Sequence, residues 1–186
     1  PAHKNVRIQI REQLDFATIL YQKGLYKQSL KLLDKAKNLA LNYEEKNSAY
    51  EIIELEKIIE TQYITRSIDT RADELSIQAK NLSKDNVITS KLSNLSLQLY
   101  SKLLQNGYAK NNEEFQIIYT YFNDRIPNYN FDSLGFREKL WLYKANLWFS
   151  LLTQDFLLSY KYASKWVELF QKNKKFILSH PVFYLK

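Results

Sequence analysis

Apolar residues recur along this chain at steps of three and four. Val6, Ile10, Leu14, Ala17, Leu20 and Tyr21 fall on one face of a helix over residues 6 to about 23. Gly24 can take the left-handed conformation that ends such a helix. Leu32, Leu33, Ala36, Leu39, Ala40 and Tyr43 then line a second one, which predicts a helical hairpin. Ser48 and Glu51 stand at capping-box spacing ahead of a third stripe, Ile52, Leu55, Ile59 and Tyr63. A fourth stripe runs through Ile68, Ala72, Leu75, Ala79 and Leu82.

Asp85 is placed to cap a fifth helix carrying Ile88, Leu92, Leu95, Leu99 and Leu103, with a stop at Asn106-Gly107. Asn111 and Glu114 mark the next start, and Phe115, Ile118, Tyr119, Phe122 and Ile126 follow up to Pro127, whose ring prevents continuation. After a loop and the cap expected at Asp132, residues 134 to 153 are apolar on nearly every side, so this helix should lie between neighbours. Asp155 opens an eighth helix with Phe156, Tyr160, Ala163, Val167 and Phe170. The elements group into hairpins at about 6–43, 46–83, 86–127 and 133–172, whose starts are separated by 40, 40 and 47 residues. A period in that range points to stacked hairpins sharing one continuous core, and hence to a single helical-repeat domain over residues 1–186. With only 3 Gly and 3 Pro, the chain is short of the turn formers that an all-β fold needs.

Composition narrows the chemistry further. Without Cys there is no disulfide, thiolate nucleophile or cysteine-ligated metal. His3 and His180 stand near opposite ends in no metal-binding spacing, and the isolated Gly24, Gly107 and Gly135 form neither a P-loop nor a dinucleotide turn. Paired acids such as Glu113-Glu114 are neighbours in sequence and diverge on a helix by about 100°. The expectation is a non-enzymatic protein without cofactor or metal. No apolar run approaches the roughly 20 residues of a membrane span, and the first residues lack a signal-peptide block, which suggests a cytoplasmic protein.

The first hairpin, Phe16 to Leu30, resembles a tetratricopeptide repeat. Small residues at Ala17, Ser29 and Ala36 stand where that motif packs its helices closely, Gly24 and Tyr26 stand at its turn, and Leu33 takes its large apolar position. Its closing proline is replaced by Leu41. A second match from Trp141 to Phe170, through Ala145, Trp148, Ser159 and Ala163, requires a two-residue insertion at the turn. The resemblance implies a right-handed α-solenoid that binds a protein or peptide partner on its concave side. The positions analogous to that family's ligand contacts are Arg11, Leu14, Thr18, Tyr21 and Gln22, and in the last hairpin Lys139, Leu142, Asn146 and Phe149.

A runner-up reading comes from charge, which is +7 overall. Lys23, Lys27, Lys31 and Lys35, four residues apart, make a basic stripe that could follow a phosphate backbone. However, residues 44 to 64 hold six acidic and two basic groups, so Glu51 and Glu54 are expected to face these lysines and leave the stripe internally complemented. The aromatic residues are assigned to the hairpin cores, although a partly exposed Trp could anchor a partner. Past the eighth helix, Phe176, Ile177, Leu178, Val182, Phe183, Tyr184 and Leu185 lack a polar outer face. Residues 173–186 therefore read as the start of an incomplete repeat, from a longer protein or one that pairs its open end with a second copy.

Overall fold

A computed structural model describes residues 5–63 and 68–179. These residues form eight α-helices and one short 3-10 turn, with no strand among them: α1 (Val6–Gln22), α2 (Tyr26–Asn42), α3 (Lys46–Gln62), α4 (Ile68–Asn106), α5 (Asn112–Arg125), the 3-10 turn (Phe131–Ser133), α6 (Phe136–Leu152), α7 (Phe156–Lys172) and α8 (Lys175–Ser179). Sequential helices pack on one another, α1 on α2, α2 on α3 and α6 on α7. The chain divides into two compact units, one up to Asn86 and one from Val87.

Five of the helices, α1, α2, α3, α6 and α7, are 17 residues long, and three identical turns join them. In each turn the middle residue is left-handed: Gly24 at φ +74°, Glu44 at +59° and Gln154 at +56°. The third turn residue donates its N–H back to the preceding helix, Leu25 to the carbonyl of Leu20, Glu45 to Ala40 and Asp155 to Ser150. The middle residue donates to Tyr21, Leu41 and Leu151 respectively, which completes a Schellman motif and satisfies the carbonyls that a helix end leaves open. Because α6–α7 has the helix and turn lengths of α1–α2, no two-residue insertion stands at its turn, and Leu147 rather than Ala145 occupies the position of Ala17, so the second repeat match does not hold through Ala145.

In the first unit, Ala17, Ser29 and Ala36 are buried, as the close packing of α1 on α2 requires. Ser29 donates its hydroxyl to the Ala17 carbonyl at 2.7 Å across that crossing. Leu33, Ala40, Ala49, Ile52, Ile53 and Ile59 continue the core to α3, and Leu75, Ala79 and Leu82 bring in the first part of α4. In the second unit α6 is covered on several sides. Phe136, Leu140 and Tyr143 meet Leu169, Phe170 and Phe176. Ala145 and Leu152 meet Leu95, Leu99 and Phe122, and Leu142 meets Ile88, Leu92 and Leu134.

Three predicted boundaries differ. Residues 83 and 86 do not separate two hairpins, because α4 runs without a break from Ile68 to Asn106. Lys84, Asp85 and Asn86 include no residue that stops a helix, and the Asp85 carboxylate accepts from Lys46 Nζ at 3.0 Å rather than capping. Ser48 lies inside α3, which the turn at Glu44 already starts at Lys46. Asp132 belongs to the 3-10 turn, and α6 begins after Gly135. Asn111 and Asp155 do cap, accepting from the N–H of Glu114 at 2.9 Å and of Leu158 at 3.0 Å. The expectations for His3, His180, Val182, Phe183, Tyr184 and Leu185 lie outside the described residues.

Candidate functional site

Within each unit, the residues expected to line a concave groove differ in exposure and partners. Leu14 and Leu142 are 4% and 3% exposed and belong to the two cores, since each faces the neighbouring helices of its unit. Asn146 is buried and donates its side-chain amide to the Leu142 carbonyl at 2.8 Å, while Phe149 stacks on Phe122 with ring centroids 4.2 Å apart. Both serve packing of α6, which sequence periodicity already places among several neighbours. On α1, Arg11 pairs with Glu51 of α3 at 3.0 Å and with Asp15 at 3.4 Å. Tyr21 donates its hydroxyl to Gln62 at 3.0 Å, and Thr18 donates to the Leu14 carbonyl at 2.8 Å. These groups tie α1 to α3 or to itself. Gln22 is exposed, and the Lys139 amine sits 5.0 Å from the Phe131 ring.

The basic stripe is more open than the sequence suggests. Lys23, Lys27, Lys31 and Lys35 are all exposed, and none has an ion pair among the described residues. The expected complement is engaged elsewhere: Glu51 holds Arg11, and Glu54 holds Lys57 at 2.6 Å. The lysine that α3 does neutralise is Lys37, on the buried side of α2, where Glu56 meets it at 2.8 Å. Lys27, Lys31 and Lys35 are centred about 160° around the helix from Ala36 and Ala40, and no carboxylate of α3 pairs with them among the described residues.

Sequence reasoning missed a groove in the second unit. It has a volume of about 760 Å³ and lies between Leu97 and Tyr100 of α4, Trp141, Lys144, Leu147 and Trp148 of α6, and Ala163, Trp166 and Val167 of α7. Tyr100 and Trp148 meet with centroids 4.7 Å apart, and the Lys144 amine lies 5.1 Å from the Trp141 ring. Lys144 is the only charged lining residue. Leu97 and Val167 are exposed at its edges, and Ala163, assigned from the repeat resemblance to helix packing, is exposed there too. All three tryptophans of the chain line this groove, and that concentration was the available signal. Helical periodicity places them in the core, because spacing alone does not tell a core position from the wall of a groove.

Among the described residues no group of three or more Asp, Glu or His comes together in a way that could hold a metal ion, and no helix is long and apolar enough to cross a membrane. No family model, curated protein or solved structure matches the chain.

Proposed function

We propose that this chain is a non-enzymatic, tetratricopeptide-like scaffold of the cytoplasm, its hairpins stacked as a right-handed solenoid, and that it binds a partner protein through the groove of the second unit. The observation that carries this reading is the aromatic wall of Tyr100, Trp141, Trp148 and Trp166. An apolar cleft with aromatic anchors and one cation suits the apolar face of an amphipathic helix bearing a carboxylate near Lys144. The repeated 17-residue helices and Schellman turns support the repeat assignment.

All three tryptophans border the cleft, so intrinsic tryptophan emission reports its occupation. Selection from a library of amphipathic helical peptides should yield ligands that shift this emission and bind about tenfold more weakly to Val167→Asp, which places a charge at the exposed rim. A library yielding no such ligand, or ligands indifferent to Val167→Asp, would count against the groove.

A second reading, contact with nucleic acid, is favoured by Lys27, Lys31 and Lys35, which are exposed and have no ion pair among the described residues. A salt-dependent gel shift tests it, and absence of a shift at low salt removes it.

A further inference from the structure

The excess positive charge of the chain is concentrated in the second unit, which carries 13 of the 27 basic residues but 7 of the 20 acidic ones. On the side of α7 that bears Lys161 and Lys165, away from the groove edge at Val167, this charge lies among aromatic rings. Phe131 is presented there by a well-braced turn. Asn130 accepts from the Asp132 N–H at 3.1 Å and from the Ser133 hydroxyl at 2.8 Å, and the adjacent Leu134 is buried. The Phe131 ring nevertheless stays 41% exposed, and Tyr129 beside the turn is 40% exposed. Folding leaves these two rings in solvent although the core lies a few residues away.

Two lysines flank Phe131. The Lys139 amine is 5.0 Å from the Phe131 centroid and that of Lys165 is 5.9 Å from it. Lys165 also stands 5.8 Å from the rings of Tyr143 and Tyr162, and Lys161 stands 6.0 Å from Tyr162. None of these three lysines has an ion pair among the described residues. Next to these lysines in the chain, Glu138 is buried and pairs with Arg137 at 3.3 Å, and Glu168 is engaged by Lys172 at 2.7 Å, while Asp132 belongs to the turn. By contrast, Lys27, Lys31 and Lys35 make no cation–π contact among the described residues.

We infer that the surface formed by Phe131, Tyr129, Tyr162, Lys139, Lys161 and Lys165 binds single-stranded nucleic acid, the lysines meeting phosphates and Phe131 stacking a base. This deepens the nucleic-acid reading and rests on it, but moves the contact from α2 to the second unit. A single strand is the occupant that uses both features, since a duplex hides its base faces and an acidic peptide needs only the charge. The lysines reach over the rings from α6 and α7, so a strand following the amines passes its bases across Phe131.

Fluorescence anisotropy with a labelled uridine oligomer of roughly 12 nucleotides tests this, with a duplex and a polyglutamate of similar length as competitors. The oligomer is expected to bind at about 50 mM salt and to outcompete both. Phe131→Ala should weaken it by about tenfold and Phe131→Trp should retain it. The slope of log K against log salt should fall by about 0.7 for each of Lys139→Gln and Lys165→Gln. These side chains are partly exposed, so the variants should fold, and circular dichroism checks that they do. Wild-type affinity in Phe131→Ala, or equal competition by polyglutamate, overturns the proposal. So does loss of binding confined to the Lys27→Gln, Lys31→Gln, Lys35→Gln triple variant, which would leave the α2 reading standing. Absence of any binding at low salt ends both.

Discussion

The Lys37 ammonium and the Glu56 carboxylate lie 2.8 Å apart inside the first unit, with side chains 3% and 0% exposed. Arg71 reaches the second carboxylate oxygen at 3.2 Å, so both oxygens of Glu56 are satisfied. Removing one partner from such a buried pair strands the other charge. Glu56→Gln is expected to lower stability by about 3 kcal/mol, whereas Lys37→Met with Glu56→Leu should recover most of that loss. Urea denaturation of the single and double variants checks both, and a Glu56→Gln protein as stable as wild type would contradict the arrangement.

Burial raises the Glu56 carboxyl above its ordinary value of 4.5, outweighing the lowering by Lys37 and Arg71. The folded protein thus holds this proton more tightly than the unfolded chain. The stabilisation from this group is complete below the unfolded value and is lost as pH rises through the folded one. Carbon-13 NMR of the side chain should give a midpoint above 4.5, and a midpoint below it would show that the cations dominate.

Leu14 and Leu142 separate packing from binding. Each truncation to Ala is expected to cost about 2 to 5 kcal/mol, because each empties a filled core. Thermal unfolding should show the loss, while any groove peptide should bind the Leu14→Ala protein normally at temperatures where it stays folded.

Gly24 sits at φ +74° with nothing within 4 Å of where a Cβ would stand. Gly24→Ala therefore meets no clash, and its cost is the left-handed backbone alone, about 1 kcal/mol. Chemical denaturation giving a loss of several kcal/mol would mean that the turn is more tightly enclosed than this.

The continuity of α4 is equally open to test. Asn86→Pro removes a backbone donor in mid-helix and places the ring against the preceding turn, which should cost about 3 kcal/mol or more. A neutral result in the same assay would restore the break expected at Asp85.

Much of the helical framework was readable from residue order. The stripes of α1, α2 and α3 fall on buried faces apart from Tyr63, and the stops at Gly24, Gly107 and Pro127 and the caps at Asn111 and Asp155 stand where the residues place them. The α7 helix is present, but Phe156, Tyr160, Ala163 and Val167 of its expected stripe are exposed and its buried residues are Ser159, Leu169 and Phe170, because α6 packs against another face of it. The break at residues 83–86 was over-read, because an Asp that can cap is equally content inside a helix when Lys46 takes its carboxylate. The candidate site was legible only in part. The sequence assigns the aromatic residues to the cores, and nothing in the spacing of Trp141, Trp148 and Trp166 tells a filled interior from the wall of a cleft. Phe131 in its loop gave no sign that Lys139 and Lys165 would converge on it.

What the chain alone determines is local. A 3.6-residue repeat of apolar positions, a glycine able to turn left-handed and a carboxylate ahead of a helix act within a few residues of themselves, so order along the chain suffices to place them. The tertiary structure decides everything set by lateral register: that Glu56 rather than Glu51 meets a lysine of α2, that Leu14 is enclosed, and that three tryptophans border a cleft. Those outcomes depend on how one helix is rotated and shifted against the next, and a shift of a single turn, about 5.4 Å, exchanges one set of partners for another.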